Sequence, residues 1–130
     1  MKNFEEWSKV KKEVDDFKNR NIPIFHESEI WWSSIGLNIG DEQDGKNESF
    51  ERPVLILKKF SKSLFMGIPL STKIKEGKLY VNFKAENLDY SVLLSQTRVM
   101  SVKRLSRFIS KLSRGRMSIV KNAYKNLLEL

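Results

Sequence analysis

From Glu29 onward the chain is punctuated as a series of short strands, and this rhythm constrains the fold more than any total does. Ile30-Trp31-Trp32-Ser33-Ser34-Ile35 reads as a strand, and Gly36 opens a long polar loop running to about Arg52. Pro53-Val54-Leu55-Ile56-Leu57 begins a second strand, and its unbroken apolar run predicts burial on both faces. A turn at Ser61-Lys62-Ser63 leads to a third strand, Leu64 to Leu70, followed by a polar connection from Ser71 to Gly77. Further strands are expected from Lys78 to Phe83 and, after a turn at Glu86-Asn87-Leu88-Asp89, from Tyr90 to Leu94 and on toward Met100. Arg107 to Leu112 adds a short one. Ser113 then caps a terminal helix with Met117, Val120, Ala123, Tyr124, Leu127 and Leu128 on one face. Short strands, tight turns and one closing helix predict an α+β fold built on a small half-open β-barrel.

The period differs before Glu29. Asn3 is placed to cap a helix, with Glu6 in the return position of a capping box. Phe4, Trp7, Val10, Val14 and Phe17 follow at helical spacing, and Asn19-Arg20-Asn21-Ile22-Pro23 ends the run. Residues 1–28 are therefore expected to be a helix and linker packed on a single globular unit spanning residues 29–130. A chain of 130 residues has room for one core and not for two.

Charge is distributed unevenly. The formal net charge is +8, yet the 15 basic and 15 acidic side chains of residues 1–97 cancel. Residues 98–130 hold nine basic side chains against Glu129 alone. Such a block concentrates a polyanion near the surface and makes its binding salt-dependent, although the same charges also serve as a solvated helix face. The chain has no cysteine, which excludes disulfides, a thiol nucleophile and Cys-ligated metal. No run approaches the roughly 18 apolar residues that cross a bilayer. No membrane partner is expected, and cytoplasmic residence is the default expectation.

Few residues stand in recognisable catalytic spacing. His26 has no Ser or Asp partner at a triad spacing, and loop 36–52 does not match a calcium loop because Gly40 falls at the first ligand position. No metal site and no cofactor are expected. Adjacent Trp31 and Trp32 point to opposite faces of a strand. One belongs in the core, and the other is left for the N-terminal helix, a dimer interface or a base to cover. Polar groups gather at three expected strand ends: Arg52-Pro53, Ser71-Thr72-Lys73 and Ser95-Gln96-Thr97-Arg98. A fixed cation with hydroxyl and amide donors around it is what a phosphate site requires.

Taken in order, these blocks resemble the MazF/PemK toxins. Ile30-Trp31-Trp32, then Gly40-Asp41-Glu42-Gln43-Asp44-Gly45, then Arg52-Pro53-Val54-Leu55-Ile56-Leu57 is similar to the family's opening strand, G-x-E-Q-x-G loop and R-P-V strand. Ile68-Pro69-Leu70-Ser71-Thr72 resembles its P-[IVL]-T-[ST] segment, and Val92-Leu93-Leu94-Ser95-Gln96-Thr97-Arg98 its V-x-L-x-Q-x-R strand. The resemblance implies an SH3-like barrel of the CcdB/MazF type, a two-fold homodimer and a cognate antitoxin protein. It also implies metal-independent cleavage of single-stranded RNA, by attack of the ribose 2′-hydroxyl on the adjacent phosphate. The ends left would be a 2′,3′-cyclic phosphate and a 5′-hydroxyl.

Carried over residue by residue, the resemblance makes Arg52, Ser71, Thr72 and Glu42 the catalytic candidates. Gln43, Gln96, Arg98 and Lys73 become RNA-binding candidates. The chain departs from parts of the family at Asp41, where some members carry a histidine, and at Leu93 and Ser95, where others carry an arginine and an acid. The alternative reading is a non-catalytic module on the same barrel, holding nucleic acid or an acidic partner.

The loop before Arg52 sets an electrostatic condition on either reading. Residues 41–51 carry Asp41, Glu42, Asp44, Glu48 and Glu51 against Lys46, a balance of −4 that repels phosphate. The loop is therefore expected to be mobile and to swing aside, or to pair with basic residues of a partner subunit, when RNA binds.

Overall fold

The computed structural model describes residues 1–16, 22–84 and 89–129. A helix, α1 (Phe4–Asp15), precedes seven strands: β1 (Glu29–Ser34), β2 (Glu51–Lys59), β3 (Leu64–Ser71), β4 (Tyr80–Lys84), β5 (Asp89–Leu93), β6 (Arg98–Ser101) and β7 (Leu105–Lys111). Helix α2 (Arg114–Leu128) follows. The paired strands are all antiparallel, in the order β4-β5-β3-β2-β1-β7, with β6 also on β3. The sheet stays open, in keeping with the half-open architecture expected.

β3 is the hub. β2 lies along one edge of it, from Val54↔Pro69 to Lys59↔Phe65. The other edge is shared, with Leu64 to Gly67 pairing β6 and Leu70 and Ser71 pairing β5. This corrects the expectation of one strand from Tyr90 toward Met100. A single 3-10 turn at Leu94–Gln96 divides it, and the Thr97 hydroxyl donates to the Leu94 carbonyl at 2.7 Å. A local hydroxyl bond of that kind competes with continuation of a ladder. β4 likewise begins at Tyr80 rather than Lys78, and β7 begins at Leu105 rather than Arg107.

Side-chain alternation divides the apolar residues between two cores. Ile30, Leu55, Leu57, Ile68, Leu70, Phe83, Val92 and Leu94 pack beneath Met117 and Val120 of α2. Phe25, Trp31, Ile35, Val54, Ile56, Phe65, Met100, Val102 and Leu105 form the second core on the other face. Val54 to Leu57 are thus buried on both sides, as their unbroken apolar run predicts.

The helices bury less than their stripes suggest. Asn3 caps α1 by accepting from the Glu6 N–H at 3.1 Å, as expected. Trp7 is the residue that α1 buries, whereas Phe4 is half exposed. Ser113 caps α2 by accepting from the Arg116 N–H, but Leu128 at the end of its stripe lies exposed. Phe17, Asn19 to Asn21 and Glu86 to Leu88, used in the sequence reading, lie outside the described residues.

Candidate nucleic-acid interface

The loop between β1 and β2 is stitched in two stages. Ile35 and Gly36 both donate backbone N–H to the Phe50 carbonyl, and Gly45 donates to the Gly36 carbonyl at 2.7 Å. Lys46 and Glu51 then exchange backbone hydrogen bonds at 2.9 and 2.8 Å, closing a small turn over 47–50. Gly45 is required here, because a Cβ would lie 1.7 Å from the Phe50 carbonyl oxygen. Asn38 ties the first stage internally, its side chain donating to the carbonyls of Ile35 and Gln43 at 3.2 and 2.8 Å.

Asp44 is the centre of this loop. Its carboxylate accepts from the Asn38 N–H at 2.6 Å and pairs with the Lys2 ammonium at 3.0 Å. Its carbonyl accepts from the Arg52 Nε. Partial burial lowers the Arg52 pKa from its ordinary value, while the Asp44 charge pulls it back up. Among the described residues no other group accepts from Arg52, and no buried side-chain nitrogen lacks a partner. The two terminal nitrogens of the guanidinium are therefore unbonded and not sealed from solvent.

The sequence-predicted residues fall into two grooves. A cavity of about 350 Å³ is lined by Arg52 and Thr72 together with Trp32, Glu51, Asn47 and Tyr90. A second, of about 400 Å³, is lined by Glu42, Gln43, Gln96 and Arg98 together with Asn38 and Ser95. Gln96 joins this groove to the loop: its Oε1 accepts from the Gln43 N–H at 3.0 Å and its Nε2 donates to the Asp41 carbonyl at 3.2 Å. Glu42 turns back into the loop, accepting from the Ile39 N–H at 3.0 Å.

Ser71 and Lys73 line neither groove. Ser71 is buried, and its hydroxyl accepts from the Lys73 N–H at 3.1 Å, while the Lys73 side chain is exposed. Arg52 and Ser71 nevertheless occupy matching positions two residues beyond the last β2–β3 pair, Val54↔Pro69. Pro53 between them has no N–H to continue the ladder.

Glu51 and Arg104 also take part in this geometry, and neither was singled out as a site residue from the sequence. Glu51 is buried in the Arg52 groove, with one carboxylate oxygen accepting from the Ser106 hydroxyl. Arg104 donates to the Ser34 carbonyl at 2.9 Å, and burial together with nearby Arg98 lowers its pKa. Trp31 is the core member of the tryptophan pair, and its indole donates to Glu29 at 3.0 Å. Trp32 is half-buried in the Arg52 groove, with the Arg107 guanidinium 5.2 Å from its ring centre. His26 lies exposed, and its backbone N–H donates to Glu29.

The comparison that decides the family is a match over residues 26–128 to the model described as PemK-like, MazF-like toxin of type II toxin–antitoxin system. The chain belongs to this PemK/MazF-like toxin family.

Solved structures agree on the fold of this family member. MazF from Deinococcus radiodurans superposes with a TM-score of 0.67 at 17% identity, covering 83% of this chain and 99% of its own. A mycobacterial endoribonuclease, solved with its cognate antitoxin, gives a TM-score of 0.63 at 13% identity, covering 83% of this chain and 96% of its own. The Mycobacterium tuberculosis toxin MazF-mt6 gives 0.61 at 19% identity, covering 78% of this chain and 97% of its own. No curated protein matches the chain in sequence. No helix among the described residues is long and apolar enough to cross a membrane.

Proposed function

We propose that this toxin-family chain is an endoribonuclease that cuts single-stranded RNA by metal-independent transesterification, and that a cognate antitoxin protein neutralises it. The observation that carries the reading is the state of Arg52, whose Nε is tied to the Asp44 carbonyl while its terminal nitrogens stay unbonded in a residue that lines one groove with Thr72. A guanidinium held by one nitrogen keeps its outer fork free to bind two oxygens of a phosphate. The nucleophile comes from the RNA ribose, so the protein's task is to orient, to stabilise phosphorane charge and to move protons. Arg52 serves the charge, and Thr72 donates from the same groove. Glu42 and Glu51 are the carboxylates available for the proton at the two grooves. Gln43, Gln96, Arg98 and Lys73 would contact the RNA on either side, and the protein would work as a homodimer.

Burial of Ser71 favours the second reading, a non-catalytic nucleic-acid-binding module, because its hydroxyl already serves a turn. The two part in one experiment. Purified protein is incubated with a mixed RNA pool in excess EDTA, and the ends are mapped. Cyclic phosphate and 5′-hydroxyl ends that disappear in Arg52→Ala support the enzyme. Retention of RNA without cutting supports the module, and cutting that requires magnesium refutes both.

A further inference from the structure

The family match begins at residue 26, so α1 and the residues before it lie outside the matched span. They reach the loop nonetheless. The Lys2 ammonium donates to the carbonyls of Asn38 and Gly40 and pairs with the Asp44 carboxylate at 3.0 Å. One cation thus gathers acceptors from three points of the first stage of the loop. Five residues on, Trp7 is buried against both ends of that loop. Its indole fills the space above Gly36, where a Cβ would lie 2.1 Å from the ring, and its centroid is 5.6 Å from that of Phe50, edge to face. Gly36 has φ +80, a conformation that glycine adopts without strain. Lys103 fastens the far end of α1 by donating to the Asp15 carbonyl at 3.0 Å.

The chain of contacts continues inward without a gap. Lys2 holds the Asp44 carboxylate, and the same residue's carbonyl holds the Arg52 Nε. Pairing of Asp44 with Lys2 also offsets one charge of the loop's excess of acid, that of the carboxylate whose field acts on Arg52.

We propose that the N-terminal segment is a positioning element of the RNA-cleaving site, with Lys2 and Trp7 fixing loop 36–50 and, through Asp44, the orientation of the Arg52 guanidinium. This rests on the function proposed above for its kinetic consequence only. A guanidinium released from its Nε anchor samples several orientations, of which few present two nitrogens to the scissile phosphate.

The test uses the full chain with Lys2→Met, which keeps length and removes charge and donors, and Lys2→Arg, which restores the charge. Lys2 is partly exposed and belongs to neither core, so neither change threatens the packing there. The first readout is solvent exchange of the Arg52 Nε proton by nitrogen-15 NMR. Exchange is expected to speed up in Lys2→Met and to return toward the wild-type rate in Lys2→Arg. The second is cleavage kinetics: kcat is expected to fall about tenfold to a hundredfold in Lys2→Met, with KM for RNA unchanged. Unchanged Arg52 exchange in Lys2→Met overturns the clamp, whether or not the protein cuts RNA. Faster exchange with wild-type kcat overturns the positioning role. If the wild-type chain cuts no RNA, the proposed function fails instead, and the Arg52 resonance still decides the clamp.

Discussion

At the scale of single residues, Arg52 separates function from stability. Burial disfavours its charged form, so the folded state carries a cost that the unfolded chain does not. A base whose folded pKa lies below its unfolded value adds stability only above the guanidinium range and loses that contribution as pH falls through the folded pKa. Between pH 5 and 9 the cost is therefore constant, since arginine stays protonated throughout. Arg52→Ala is expected to lose at least about a hundredfold in RNA cleavage. Its melting temperature should stay within about 4 °C of wild type. The difference in urea midpoint between the two proteins should be flat across that pH range, and a slope would mean that another titrating group is linked to this position. The two carboxylates are distinguished in the same way: Glu51→Gln and Glu42→Gln are to be compared by pH–rate profile. Loss of the acid limb in one of them identifies the proton acceptor, and an unaltered profile in both removes carboxylate catalysis from the mechanism. Arg52, Thr72 and Glu42 were named as candidates from motif order in the sequence. Glu51 was not, because a glutamate in a polar loop looks solvated until β7 brings Ser106 against it.

Among the elements, the β1–β2 loop is the one whose internal bonding matters most. Its two stages meet at Gly45, where any side chain would strike the Phe50 carbonyl. Gly45→Ala is expected to open the loop and to expose residues 36–50 to limited proteolysis, while α2 and β3 remain protected; uncut loops in a folded variant would refute this closure. Gln96→Ala should raise amide exchange at Gln43, whose N–H it accepts from, and unaltered exchange there would show that the second groove does not brace the loop. Strand and helix identities were read correctly from periodicity, and errors gathered at ends and breaks. The 3-10 turn at Leu94–Gln96 depends on a hydroxyl-to-carbonyl bond at Thr97 that no period reports. The Asn38 and Asp44 bonds are likewise invisible as pattern, since Asn and Asp are ordinary turn residues.

For the whole molecule, the sheet order brings distant blocks together, and this was beyond the reach of motif spacing. Convergence of Arg52 with Thr72, and of Glu42 with Gln96, follows from β3 lying between β2 and the β5–β6 pair. The homodimer is what the resemblance implies, and one tryptophan was left as a candidate for its interface. Among the described residues the tryptophans are buried or half-buried, and Met1 is the one exposed methionine. The exposed apolar side chains on β3, β6 and their neighbouring turn are instead Phe60, Leu64 and Val99. A homodimer at micromolar concentration is still expected by sedimentation, and a monomer there would contradict it. Central placement of β3 has a kinetic meaning as well. Residues 64–71 cannot complete their pairing until partners from 54–59, 91–92 and 98–101 have all arrived, so most of the chain must be assembled before the strand is satisfied. Closure of those long loops comes before the contacts that repay it, which makes folding slow relative to a helical chain of equal length. Opening runs the other way: the amides of β3 are released last, and their hydrogen exchange should report the free energy of global unfolding while those of α1 report only local fraying.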